Sequence, residues 1–127
     1  MTEINTLSAQ EIAPDQWLTA LDEFTRENRG AHGSLEVLGS EPAYLVETEN
    51  RPFDGVSADV KDGEHTVWFT FGSTAADHLA HSVPRAKAIR ILQPTIDSGA
   101  VLGVDSSDGT RTVLELSKPG DYALPGR

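Results

Sequence analysis

The chain has 127 residues and no cysteine, and it carries 20 acidic against 10 basic side chains. This length suits a single domain that buries its own core, and the lack of cysteine excludes disulfides, thiolate metal sites and cysteine nucleophiles. The net charge of −10 repels nucleic-acid phosphates and anionic membrane surfaces, so binding to nucleic acid would need a local basic patch.

The first thirteen residues are polar, with isolated Ile4, Leu7 and Ile12. We expect residues 1–13 to form a flexible arm. This stretch lacks the basic start and apolar run of a signal peptide, and no later segment is apolar for long enough to span a membrane. We therefore expect a cytoplasmic protein.

An amphipathic helix is predicted over residues 14–29. Pro14 suits the first helical position, and Gly30 suits the left-handed residue that commonly ends a helix. Side chains recurring at helical spacing indicate one buried face. We expect that face to contain Trp17, Leu18, Leu21, Phe24, Thr25 and Asn28.

After Gly33 the apolar period changes to two, which predicts strands. The strongest signal is a hairpin over residues 55–71, because two alternating runs meet at Asp62-Gly63, a dipeptide that tolerates positive φ. Val67, Phe69 and Phe71 are predicted to face the core. Trp68 points to the other side, and we expect a helix to cover that face as well.

Segment 73–83 has two interpretations, a short helix capped by Ser73 or a loop followed by a strand over 78–83. Alternation favours the strand, and Pro84 ends it in either case. A further strand is predicted over 87–92, and a last hairpin over 100–116 turns at Ser106-Ser107-Asp108-Gly109. Residues 118–127, with two prolines and two glycines, are predicted to be a flexible tail.

Together these elements predict one α+β domain over residues 14–117. Its N-terminal amphipathic helix is expected to pack on a bent antiparallel sheet or a small open β-barrel of about six to eight strands.

The best candidate for a metal site is Asp77, His78 and His81. On a helix the two histidines would share a face and, with Asp77, could offer three ligands. On the favoured strand the two histidines point to opposite sides, which weakens the metal hypothesis. Known zinc-binding helices also place histidines four residues apart with a glutamate between them, and this segment does not.

A second candidate is the basic cluster of Arg85, Lys87 and Arg90, the alternative site for nucleic acid. Three cations are few for phosphate binding, and a solvated strand edge explains them as well. No nucleophile elbow or phosphate-binding loop is present, and the carboxylates of Asp54, Asp59 and Asp62 are expected on a solvated polar face. The sequence therefore predicts no catalytic residue and no cofactor.

Several short segments carry a resemblance to a known family. They are residues 17–26, 35–37, 52–59, 79–81 with Pro84, and 108–112. In their order along the chain they resemble a family of small, mostly bacterial proteins known only as a domain of unknown function. The resemblance covers residues 14–116 and implies a single α+β domain without an assigned activity.

These observations favour a non-enzymatic binding or protein-interaction module with an unknown protein or small-molecule partner. Trp68 and Tyr44 could form the apolar centre of such a surface, although packing under the helix is the favoured interpretation of both. A symmetric homodimer is a common form of such an interface. The metal-dependent enzyme and the nucleic-acid binder are the alternatives, and a membrane partner is not expected.

Overall fold

The computed structural model describes residues 9–39, 44–96 and 98–117, without the side chains of residues 44–47. Most of the predicted N-terminal arm and all of the predicted C-terminal tail lie outside these ranges. Within them, one α-helix accompanies eight strands of a single antiparallel sheet, so the α+β class is confirmed. The elements are α1 (Trp17–Asn28) and the strands β1 (Gln10–Ile12), β2 (His32–Leu38), β3 (Tyr44–Lys61), β4 (Glu64–Phe71), β5 (Leu79–Val83), β6 (Ala86–Leu92), β7 (Val101–Ser106) and β8 (Arg111–Leu116).

The helix begins as a 3₁₀ turn, Pro14–Gln16, and continues as α1. Beyond its end Gly30 adopts a φ of 94°, in the left-handed region that glycine reaches without a steric penalty. Trp17, Leu21 and Phe24 are buried in the core, as the helical spacing predicts. The prediction for Leu18 was wrong, because 64% of its surface is exposed.

The predicted N-terminal arm contains a strand that the local pattern does not reveal. Residues Gln10–Ile12 form β1 and pair with Ile89–Ile91 of β6. The carbonyl of Ile12 also accepts a hydrogen bond from Nε1 of Trp17 at 2.9 Å. A three-residue strand has too few side chains to show a period, so its existence depends on the distant partner strand.

The sheet has the strand order β1-β6-β7-β8-β2-β3-β4-β5, which leaves β1 and β5 at its two ends among the described residues. One hydrophobic cluster contains Ile89 from one half of the sheet and Phe69 from the other, and β4 contacts β6. The sheet therefore folds over on itself around a shared core, with α1 contributing to the same cluster.

The predicted central hairpin is confirmed. Strands β3 and β4 are joined by Asp62 and Gly63, which have φ values of 55° and 79°. Val67, Phe69 and Phe71 are fully buried, whereas 39% of Trp68 is exposed. The expectation that a helix covers the Trp68 face was therefore wrong, since α1 packs among the core residues on the opposite face.

Candidate functional site

Strand β3 is 18 residues long and changes partner along its length. Its first part pairs with β2 as far as Pro52, and residues 53–61 pair with β4. The side of this second part that faces away from β4 has no partner strand among the described residues. This side of β3 is a strand edge that lies in the middle of the sheet and not at either end, and no sequence pattern indicates it.

At the beginning of this edge, Thr25 of helix α1 forms hydrogen bonds with the backbone polar groups of Val56. The backbone N–H of Val56 donates to Thr25 Oγ1 at 3.0 Å, and Thr25 Oγ1 donates to the carbonyl of Val56 at 3.1 Å. Both polar groups of Val56 therefore point away from β4. Because backbone groups alternate direction along a strand, those of Ala58 and Val60 point the same way. Within the described ranges, no backbone group pairs with them on that side.

The helix follows the edge in the antiparallel direction. Arg29 Nε donates to the carbonyl of Asp54 at 2.9 Å, one turn after the Thr25 contact with Val56. Four helical residues rise by about 6 Å and two strand residues by about 6.6 Å, so each turn of the helix stays beside the next two residues of the strand. Leu21 and Leu18, which precede Thr25 on the helix, accordingly lie beside the stretch that begins at Ala58.

Between α1 and β3 there is a groove with a volume of about 420 Å³. We call it the helix–strand groove, and its lining is Leu18, Thr19, Leu21, Asp22, Val56, Ser57 and Ala58. We call residues 57–61 of β3, with the outward polar groups of Ala58 and Val60, the β3 edge. Val60 is 57% exposed, so apolar surface lies beside backbone groups that have no partner in the described part of the chain.

Acidic residues predominate around the groove. Residues 15–29 and 54–64 contain eight carboxylates against three basic side chains. Two of the three basic residues already lie near carboxylates, Arg26 at 2.6 Å from Asp22 and Arg29 at 3.8 Å from Asp54. The eight acidic residues are Asp15, Asp22, Glu23, Glu27, Asp54, Asp59, Asp62 and Glu64.

The residues predicted as metal ligands are not brought together. Asp77 ends a 3₁₀ turn, Ala75–Asp77, and the favoured strand follows as β5. The Asp77 carboxylate accepts bonds from the backbone and hydroxyl groups of Thr74 at 2.8 and 2.9 Å, and these bonds hold the pKa of Asp77 below its usual value. His81 pairs with the buried Phe69, whereas His78 precedes the strand and is exposed. No cluster of three potential ligands occurs in the described part of the chain.

The predicted basic cluster is divided among different partners. Arg90 Nη1 lies 2.7 Å from Asp105 and Arg90 Nη2 lies 3.3 Å from Glu11. Arg85 lies 4.0 Å from Asp108, while Lys87 is exposed. Arg90 is therefore held within the sheet by carboxylates of the strands on either side.

The fold and the groove together define a small α+β protein with an antiparallel sheet and a helix that flanks a stretch of strand left without a second partner among the described residues. The chain belongs to a family of unknown function, DUF5335, whose model matches residues 8–125. This match confirms the predicted resemblance to a domain of unknown function. Comparisons with curated proteins and with solved structures found no match. The described helices are too short and too polar to cross a membrane.

Proposed function

We propose that this protein is a non-enzymatic protein-interaction module that binds an extended segment of its partner as an added strand on the β3 edge. The observation that carries the proposal is the outward N–H and C=O groups of Ala58 and Val60 beside the helix–strand groove. In strand addition, backbone hydrogen bonds supply affinity and pockets for alternate side chains supply specificity. This site offers both.

The β3 edge is preferred over the two ends of the sheet for a physical reason. Natural proteins protect sheet ends by keeping them short or charged. Strand β1 has three residues and β5 has five, and Pro84 follows β5 directly. The β3 edge is no longer than β5 and also carries charges, but it contains no proline, and the leucines of α1 provide a second wall against which a bound segment can bury apolar side chains.

The proposal is tested by selecting displayed random twelve-residue peptides on the purified protein and measuring the affinity of the enriched peptides. Ala58→Pro removes one outward N–H without removing a bond to β4. The matched control is Ala80→Pro. Ala80 pairs with Thr70 on the end strand β5, and its backbone groups also point outward. We expect Ala58→Pro to weaken binding by about tenfold or more, equivalent to about 1.4 kcal/mol, and Ala80→Pro to leave it unchanged.

Circular dichroism and thermal melting establish that both proline variants fold. If Ala58→Pro does not fold, Leu18→Gln replaces it, since this exposed side chain lines the groove and its substitution does not disturb the core. Enriched peptides that bind both groove variants as tightly as the wild type would refute the proposal. A dimer in light scattering that Ala58→Pro dissociates would instead identify a second copy as the occupant.

A further inference from the structure

We infer that the segment bound at the β3 edge is basic, with apolar and positively charged side chains in alternation. This inference rests on the proposed function and specifies the chemistry of the partner. It follows from the register of β3 and from the distribution of charge around the helix–strand groove.

The register of β3 assigns different surroundings to the two faces of an added strand. Val56, Ala58 and Val60 lie on the core-side face, as the buried partners of Val56 and Ala58 on β4 show. Ser57 and Asp59 lie on the outer face together with the exposed Trp68. Since side chains alternate along a strand, every second residue of the partner would meet the apolar wall of the groove and the others would meet the outer face.

The charges favour a basic partner on that outer face. Asp59 is exposed on that face, Asp62 lies in the adjoining turn, and Glu64 on β4 pairs with Lys61, the one basic residue of the edge, so three carboxylates stand against a single cation. Asp22 belongs to the groove lining, although it is bonded to Arg26. Opposite charges that are paired across strands contribute favourably, whereas like charges directly opposite each other are destabilising.

The same charges disfavour a second copy of this chain as the occupant. Two copies would each bring a net charge of −10, and their β3 edges would place carboxylate-rich surfaces against one another. Protein interfaces generally place a positively charged patch against a negatively charged patch. A partner with lysine or arginine at alternate positions supplies this complementarity.

The experiment uses three synthetic twelve-residue peptides with valine at alternate positions and lysine, glutamine or glutamate at the others. Fluorescence anisotropy measures their affinities at about 50 and about 500 mM NaCl, because salt screens charge interactions between exposed groups. We expect the lysine peptide to bind at least about tenfold more tightly than the glutamine peptide at low salt, and the glutamate peptide to bind least. High salt should remove most of this difference.

Two variants locate the charge effect. Asp59→Asn should lower the affinity for the lysine peptide by about threefold to fivefold and leave the affinity for the glutamine peptide unchanged. The matched control is Glu49→Gln, an exposed carboxylate in the part of β3 that lies before the edge, and it should alter neither affinity. Equal loss in the two variants would show a general charge effect and overturn the inference.

The failure of the inference is distinguishable from the failure of the proposed function. If the three peptides bind equally and Ala58→Pro weakens all of them, strand addition stands and the basic preference is refuted. If the lysine peptide binds the Ala58→Pro variant as tightly as it binds the wild type, the peptide is bound by charge alone and not as an added strand, and the inference is wrong. If neither these peptides nor the displayed library gives binding that depends on Ala58, the proposed function itself fails.

Discussion

At the scale of single residues, Asp105 shows how a carboxylate fixes its neighbours. Asp105 is largely buried and accepts hydrogen bonds from Arg111 Nε at 2.6 Å and Arg90 Nη1 at 2.7 Å. Burial raises the pKa of Asp105, but the hydrogen bonds and charges of Arg111 and Arg90 outweigh it and hold the pKa below its usual value. The network connects strands β6, β7 and β8 across the outer face of the sheet.

This network predicts an acid-dependent contribution to stability. Because the folded state lowers the pKa of Asp105, the contribution is complete above the unfolded value of about 4 and is lost as the pH falls through the folded value. We expect Asp105→Asn to lower the free energy of unfolding by about 2 kcal/mol at pH 7, because two guanidinium groups lose a charged acceptor. Urea unfolding along an acid series should show this difference narrowing below about pH 4.

The control for this prediction is Asp59→Asn, which removes an exposed carboxylate without a hydrogen bond or ion pair among the described residues. Its effect should stay below about 0.5 kcal/mol throughout the series. A difference for Asp105→Asn that does not depend on pH would contradict the account.

The sequence could not reveal this role of Arg90. Its spacing from Arg85 and Lys87 is compatible with a basic patch, and the carboxylates that bind it, Asp105 and Glu11, are 15 and 79 residues away in the chain. Their proximity depends on the order of the strands, which no local period encodes. Asp77 differs, because its carboxylate bonds Thr74, three residues earlier, in a capping box whose spacing is local to the sequence.

At the scale of elements, the contact between α1 and β3 determines where the β3 edge begins. Thr25 is buried and bonds both polar groups of Val56, so the edge is closed at that residue and open after it. The helical stripe correctly predicted that Thr25 is buried. It did not predict that Leu18, one residue from Trp17, is exposed, because the width of the buried face depends on where the helix leaves the strand.

Loss of the Thr25 hydroxyl should therefore destabilise the protein. Thr25→Val keeps the shape of the side chain but leaves the N–H and carbonyl of Val56 without partners, which we expect to cost about 2 kcal/mol. Thr19→Val makes the same chemical change at an exposed position of the same helix and should cost less than about 0.5 kcal/mol. The measurement is the free energy of unfolding in urea. Equal effects of the two variants would show that the Thr25 bonds do not stabilise the contact.

The elements that the sequence predicted well are those with a strong local signal. The hairpin at Asp62-Gly63 and the strand at Leu79–Val83 depend on alternation and on turn residues that favour one backbone conformation. Strand β1 was not predicted because three residues cannot establish a period. The predicted helical cover over Trp68 was wrong because the covering of a second sheet face depends on the assembled sheet and not on the strand itself.

At the scale of the whole molecule, one sheet folds over a common core, and its longest strand serves both halves of the sheet. The change of partner along β3 creates, in the middle of the sheet order, an edge that no other described strand pairs with. Helix α1 covers only part of that edge, and the remainder opens onto an acidic groove. The account of function depends on this single topological feature.

The most direct measurement is amide hydrogen exchange, resolved by residue, in the free protein and with the tightest-binding selected peptide. The account predicts that the amides of Ala58 and Val60 exchange rapidly in the free protein, while those of Val67 and Phe69 are protected by the ladder to β5. Addition of the peptide should slow Ala58 and Val60 and leave Ala80 on β5 unchanged. Slow exchange at Ala58 and Val60 in the free protein, or a bound peptide that does not protect them, would contradict it.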